Sequence, residues 1–403
     1  MNFAQNTALR SLVNMGNDDG WETSVAQAFK TIFYTGNYFA AYSGDGGQTY
    51  RSVSPFNLAK SVGHKFCCDQ VAHYVPAANT MVWILLADDG PVLMCLASPD
   101  DVMNSKGKSW TVYDLSGPVF SRARNTAFDY PQISFGDNYL YITFNIIDTA
   151  DAIVCRFHMG QLRERGTLHF QYFVAINNPY ICPCQLSGDR GLFVVQNTTS
   201  QLRVFEWREN SNIILTHDVN IATIPTEDWV IPTPDGSKWL EPNSKIDTSV
   251  QGAARSRMHL WTAWTGARKV HDRQENSFPH PHIGIAVINI QTMKLVQQRY
   301  LWNNEHAFAY PSLASNPNGE IALTFMWGGD RHYVQHGVGF LTGQTELWST
   351  TNNKGITGGG HYITARMAFP EIDRFIGAGY NSPKDTTKPA GYENHPRYVL
   401  FER

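Results

Sequence analysis

Hydrophobic and polar positions alternate with a period of two along most of the chain, and the 3.6-residue recurrence of an amphipathic helix is scarce. Val, Ile, Phe, Tyr and Trp cluster in short segments closed by Asn, Asp, Gly or Pro, which is strand-and-turn chemistry. One shape recurs: a polar or aromatic pair, a short strand, a turn, then a second and more apolar strand. It reads CCDQVAHYVPAANTMVWILL from Cys67, FDYPQISFGDNYLYITFNI from Phe128 and ICPCQLSGDRGLFVVQN from Ile181. It returns as VQGAARSRMHLWTAW from Val250, FAYPSLASNPNGEIALTFMW from Phe308 and HYITARMAFPEIDRFIGAGY from His361, with a weaker copy, QAFKTIFYTGNYFAAYS, from Gln27.

The units open near residues 27, 69, 130, 183, 251, 310 and 361, and from the second onward they stand 51 to 68 residues apart. That spacing fits one four-stranded blade per unit. The fold expected is therefore all-β: a single seven-bladed β-propeller over residues 1–403, whose ring leaves no long sheet edge exposed. The last unit offers three strands, around 362–369, 374–380 and 398–401. A fourth is expected from residues 8–13, so that N- and C-terminal strands share a blade and close the ring.

Composition narrows the function classes. The 403 residues are 42% hydrophobic and 13% aromatic, and the net charge of −3 gives no general attraction to nucleic acid or anionic membranes. No apolar run is long enough to span a bilayer. The opening MNFAQNTALRSLVNM lacks the basic start and apolar stretch of a signal peptide. An extracellular or periplasmic protein in mature form is the expectation, with a cytoplasmic one as the alternative. Six cysteines are present, and neither the adjacent Cys67–Cys68 pair nor the Cys182-Pro-Cys184 run has zinc-site spacing, so buried thiols are expected. No organic cofactor is implied.

Residues 42–50, YSGDGGQTY, place Ser43, Asp45, Gly47 and Thr49 at alternate positions before an aromatic. The glycines supply positive φ and the aspartate bonds loop amides, so the stretch reads as a hairpin tip. It resembles the Asp-box, S-x-D-x-G-x-T-aromatic, of sialidase-like β-propellers. AYPSLASNPNGEIALTFMWGG, HGVGFL, GGGHYITAR and CCDQVAHYVP are similar to bacterial propeller proteins of that group. The resemblance implies the fold and puts Asp45 in a turn away from any active site. Sialidases themselves grip a carboxylate with three arginines and pair a tyrosine nucleophile with a glutamate. Their aromatic–Arg-Ile-Pro motif is absent here, and Arg255, Arg257, Arg331 and Arg366 form no triad by spacing, so sialidase activity is not expected.

Propeller geometry brings the opening residues of every unit to one axial funnel. The converging set is Asp69, Gln70, Asp129, Tyr130, Gln132, Cys184, Gln185, Gln251, Arg255, His306, Tyr310, His361 and Tyr362. Inter-blade hydrogen bonding is the plain alternative for each. Only Asp69 and Asp129 supply carboxylates among these, with no glutamate, whereas histidine, tyrosine and arginine together suit a uronate: arginine neutralises its carboxylate while other groups move protons. His361, Tyr362, Tyr310 and Arg366 are the catalytic candidates. Asp69, Gln70, Tyr130, Gln132, Arg255 and His306 are the substrate-binding candidates. Trp229 and Trp239 join them, because they lie in a long Pro- and Gly-rich insertion, EDWVIPTPDGSKWLEP, expected to fold over one rim. His280 and His282, alternating within HDRQENSFPHPH, could face one side and hold a divalent metal. His332 and His336 are expected in a rim loop. The function expected is a carbohydrate-active propeller, a lyase or glycoside hydrolase on an acidic, uronate-containing glycan; the alternative is a non-catalytic glycan- or protein-binding disc.

Overall fold

A computed structural model describes residues 2–9, 21–226, 228–236, 238–240, 249–269, 277–350, 363–381 and 395–403. Seven four-stranded antiparallel sheets follow one another along the chain. Blades 1 to 3 have inner strands Ser24–Ala28, Phe66–Val75 and Phe128–Phe135. Those of blades 4 to 7 are Cys182–Pro183, Val250–Ser256, Ala307–Ser315 and Thr364–Met367. Within each blade the strands pair in order from the inner to the outer one. Neighbouring inner strands touch all the way round, and the pair from blades 4 and 5 runs parallel through Gln185 and Ala254. All inner strands therefore start at one end of the axis, called the mouth below.

Ring closure is the mixed blade expected. The N-terminal strand Asn2–Ala8 pairs antiparallel with His395–Glu402 as the outermost strand of blade 7. It lies earlier in the chain than residues 8–13, because the register runs from Asn2 opposite Glu402 to Ala8 opposite Arg397.

Strand alternation explains how the blades stack. Successive side chains point to opposite faces of a sheet, and both faces of every blade are covered by neighbours, so both must be apolar. Each of the seven interfaces between adjacent blades accordingly has its own buried cluster. Phe33 and Trp83 join blades 1 and 2, Tyr141 and Phe193 join blades 3 and 4, and Phe340 and Phe401 join blades 6 and 7. A further cluster lies at the mouth. There Trp229 and Ile231 of the insertion pack with Tyr310, Ile363 and Tyr380. The insertion forms the hairpin Ile231–Pro232 and Lys238–Leu240, pinned to blade 5 by the Asp228–Arg268 bridge.

Three expectations change. Cys67 and Cys68 form a disulfide between adjacent residues, while Cys95, Cys155, Cys182 and Cys184 are free and buried. The segment with His332 and His336 is not a rim loop but the strand His332–Phe340. Its alternation buries His336 completely against Thr350. The alternation expected to set His280 and His282 on one side does not apply, because the strand begins only at His282 and His280 lies before Pro281. His282 stacks on Phe278 in the interior, and His280 meets the Asn304 carbonyl.

Candidate functional site

The inner strands do not start smoothly. Blade 2 sets Cys67, Cys68 and Asp69 opposite the single residue Leu86, because the register jumps between Phe66 and Gln70. Blades 3 and 6 repeat one device: Tyr130-Pro131 and Tyr310-Pro311 each bulge out of register, with the tyrosines at φ 53° and 54°. Gln251 is the extra residue in blade 5. Glu22, just before the inner strand of blade 1, and Tyr180, just before that of blade 4, also have φ near 55° to 58°. Proline cannot join the ladder, and a non-glycine residue in the left-handed region costs energy, so the surrounding packing must hold these kinks. Bulges re-aim side chains, and here they do so at the same end of adjacent blades.

The mouth thus collects Glu22, Asp69, Asp129, Tyr130, Tyr180, Gln251 and Tyr310. Glu22, Asp69, Tyr130 and Tyr310 are nearly buried, and Asp129 is half-buried. Tyr180 is fixed by its amide N–H, which donates to Asn145 Oδ1 at 2.7 Å, and its ring meets Tyr130 edge-on at 5.9 Å. Tyr310 holds its place through its amide N–H, which donates to Thr265 Oγ1 at 3.0 Å. The Cys67–Cys68 disulfide, half-buried, packs against the same cluster as Tyr130. Glu22 and the disulfide were missed by sequence reasoning. The weak first unit was anchored on Gln27, five residues too late to include Glu22, and adjacency alone did not reveal that the cysteines bond.

The remaining candidates separate. Gln70 is fully buried and structural: its amide nitrogen donates to the carbonyls of Gly36, Asn37 and Phe39, and its oxygen accepts from Trp83 Nε1. Gln132 follows the bulge of blade 3 and is half-buried. Arg255 sits at the far end of its strand, away from the mouth, donating to the carbonyls of Ser187 and Arg257. His306 stands on the rim of blade 6, its ring 5.0 Å from Trp327 and 4.7 Å from His332; burial and the nearby His332 push its pKa down. Trp229 is buried with Tyr310 instead of facing outward, its Nε1 donating to the Thr226 carbonyl. Trp239 lies in the insertion hairpin. His361 and Tyr362 lie outside the described residues. Among the described residues no group of three or more His, Cys, Asp or Glu side chains is arranged to hold a metal ion.

Arg366 reaches the axis itself. It starts from blade 7, yet its charge is felt by His73 of blade 2 and Cys182 of blade 4, which are not neighbouring blades. Inner strands of blades that are not neighbours approach one another only around the axis. Below it, His73 Nε2 meets Gln185 Oε1 at 3.0 Å, and Ser315 Oγ donates to the Gln185 carbonyl at 3.4 Å, a plug of side chains from blades 2, 4 and 6. The inner strands thus carry carboxylates and tyrosines at their mouth ends, one guanidinium deeper at the axis and a hydrogen-bonded plug beneath.

The turn at 43–49 lies at the other end of the disc, between the third and fourth strands of blade 1. Ser43 Oγ donates to Asp45 Oδ1 at 2.7 Å, and the amides of Gln48 and Thr49 donate to the same carboxylate at 3.0 Å. Gly46 and Gly47 take φ of 77° and 85°, as that tip requires.

No protein-family model and no curated protein matches the sequence. Solved structures do. A fungal alcohol oxidase of the AA5 family, in complex with copper, aligns over 100% of this chain and 76% of its own, with TM-score 0.53 and 9% identity. A chain of the mitotic checkpoint complex aligns over 100% and 92%, with TM-score 0.51 and 9% identity. The α-L-arabinanase of Penicillium chrysogenum, complexed with arabinobiose, covers 100% and 99% at TM-score 0.46 and 10% identity. At such identities the likeness is one of fold. Among the described residues no helix is long and apolar enough to cross a membrane.

Proposed function

We propose that the protein binds and cleaves a glycan at the mouth of the axial funnel, and that its substrates carry uronate residues. The observation that supports this reading is that Glu22, Asp69, Asp129, Tyr130 and Tyr310 all stand at the same end of the inner strands, at or beside bulges and left-handed backbone. Glycoside hydrolysis needs one carboxylic acid to protonate the leaving oxygen and one carboxylate to act on the opposite face of the sugar. Three carboxyl groups at one mouth supply that chemistry. The tyrosine rings offer apolar walls with a polar tip, which suits a sugar face. Arg366 on the floor supports an acidic substrate and keeps open the elimination route, in which a guanidinium neutralises the uronate carboxylate while a tyrosine takes the neighbouring proton. The 43–49 turn supports kinship with the sialidase-like propellers, and glycan chemistry fits a secreted protein.

The test is incubation with a panel of uronate-containing and neutral glycans, recording new reducing ends and the absorbance of an unsaturated uronate product. Cleavage of a uronate-containing member, lowered at least ~100-fold in Asp129→Asn or Asp69→Asn with folding unchanged, is the expected result. Reducing ends without the unsaturated chromophore assign hydrolysis; the chromophore assigns elimination. Measurable affinity without cleavage would leave a glycan-binding disc, a reading favoured by the exposed Trp302, whose ring meets Phe278, and by the His306–Trp327–His332 ring cluster on the rim.

A further inference from the structure

We propose that the protein holds an anion near the ring axis, bound by Nε and Nη2 of Arg366. Arg366 is 4% exposed, and its one hydrogen bond runs from Nη1 to the carbonyl of its own neighbour, Ala365, at 2.9 Å. Nε and Nη2 are buried and meet no acceptor among the described residues. Arg156 shows how the fold treats a guanidinium it means to keep for structure. Equally buried, Arg156 donates to Gln171, Asn212 and the carbonyls of Arg208 and Ser211, and it stacks on Trp207 at 4.0 Å. A buried charge without a partner is among the costliest states a protein interior can contain.

Among the described residues, Cys182 and His73 do not supply the missing charge. Burial pushes its own pKa down only to about 10, so at neutral pH it keeps its proton. Burial holds the Cys182 thiol up at about 12, so that neighbour is no thiolate. His73 gives a second, independent sign. Its Nδ1 faces the Tyr74 carbonyl at 2.9 Å and its Nε2 faces Gln185 Oε1 at 3.0 Å, while the Gln185 amide nitrogen is committed to the Ile133 carbonyl at 2.8 Å. A neutral imidazole has one N–H for these two acceptors, and only the imidazolium satisfies both. Burial and the Arg366 charge push that ring down to about 3. An anion held by Arg366 compensates the guanidinium, and its negative charge favours the second imidazole proton.

The ligand chemistry is a small monoanion or a carboxylate, and two sources can deliver it: a halide from solution, or the carboxylate of a uronate sugar descending from the mouth. Only the second source rests on the function proposed above. The experiment has two arms. Crystals of the full chain soaked in sodium bromide are expected to show an anomalous peak within hydrogen-bond distance of Arg366 Nε or Nη2. In parallel, melting temperature is followed at constant ionic strength as bromide replaces fluoride, and again with galacturonate against galactose. Specific binding raises it by about 3 °C per hundredfold rise in anion above its Kd for a chain of this length, and Arg366→Met removes the dependence. Should that variant not fold, the bromide peak in the wild type decides by itself. A bromide peak with no galacturonate effect assigns a resident inorganic anion and removes Arg366 from substrate recognition, leaving the mouth untouched. Galacturonate stabilisation that displaces bromide assigns the sugar carboxylate. No peak together with no anion-specific shift in either arm overturns the proposal.

Discussion

Gln70 and Asp69 are adjacent in sequence and belong to different worlds. The Gln70 side chain closes four hydrogen bonds, three to carbonyls of blade 1 and one to Trp83 of its own blade, so Gln70→Ala strands the Trp83 N–H and the carbonyls of Gly36, Asn37 and Phe39 in a dry interface. Leaving buried partners unmatched costs about 2–4 kcal/mol in total, which denaturant unfolding should report as a lower midpoint with an unchanged slope. Asp69→Asn, at the mouth, is expected to shift that midpoint by less than ~1 kcal/mol while removing function. Equal destabilisation by both changes would mean that Asp69 is structural too. Sequence reasoning gave both residues one role because alternation says only that neighbours face opposite ways. The register jump after Phe66, which decides what each meets, leaves no trace in the hydrophobic pattern. Arg255 misleads similarly: it belongs to an inner strand, but at the end remote from the mouth.

At the scale of single elements, the turn at 43–49 was readable because its chemistry is local. Ser43, Asp45 and Thr49 bond to one another and to amides within four residues, so spacing alone identifies the motif. Desolvation works against the Asp45 charge, but hydrogen bonds from Thr49, Ser43 and Gln48 outweigh it and hold the carboxyl at about 2, below its ordinary 3.8. A depressed folded-state value means that the stabilisation is complete above the unfolded-state value and is lost as pH falls through the folded one. Asp45→Asn should therefore melt below the wild type at pH 7, with the gap narrowing between about pH 4 and pH 2. A gap constant across that window would show that the charge contributes nothing. The Tyr130-Pro131 and Tyr310-Pro311 bulges are the non-local counterpart. Their sequence similarity was visible, but their left-handed backbone is imposed by packing against neighbouring blades.

The whole ring depends on a contact between the chain's two ends. Asn2–Ala8 is mostly exposed, so it adds little apolar burial; what it contributes is a ladder along His395–Glu402 and side-chain bonds such as Asn6 Nδ2 to the Thr350 carbonyl at 2.8 Å. Deleting residues 2–8 should lower the melting temperature by about 3 °C and, by baring an edge strand, cause association that rises with concentration. Unchanged melting with a monodisperse monomer would show that blade 7 closes without its fourth strand. Blade number and ring closure were legible in the sequence because the repeat is long-range and regular. The axial residues were not: that Arg366 acts on His73 and Cys182, and that His73 meets Gln185, follows only from seven blades of unequal length closing on a common axis.

The most direct test of an axial site is a titration of uronate-containing oligosaccharides, followed by calorimetry below the melting temperature of every variant, into the wild type, an Asp69→Asn/Asp129→Asn double variant and Asp45→Asn. The account predicts that the mouth variant loses at least ~30-fold in affinity or turnover, while Asp45→Asn, altered on the opposite face, matches the wild type. Wild-type behaviour in the mouth variant, or a loss confined to Asp45→Asn, would contradict it.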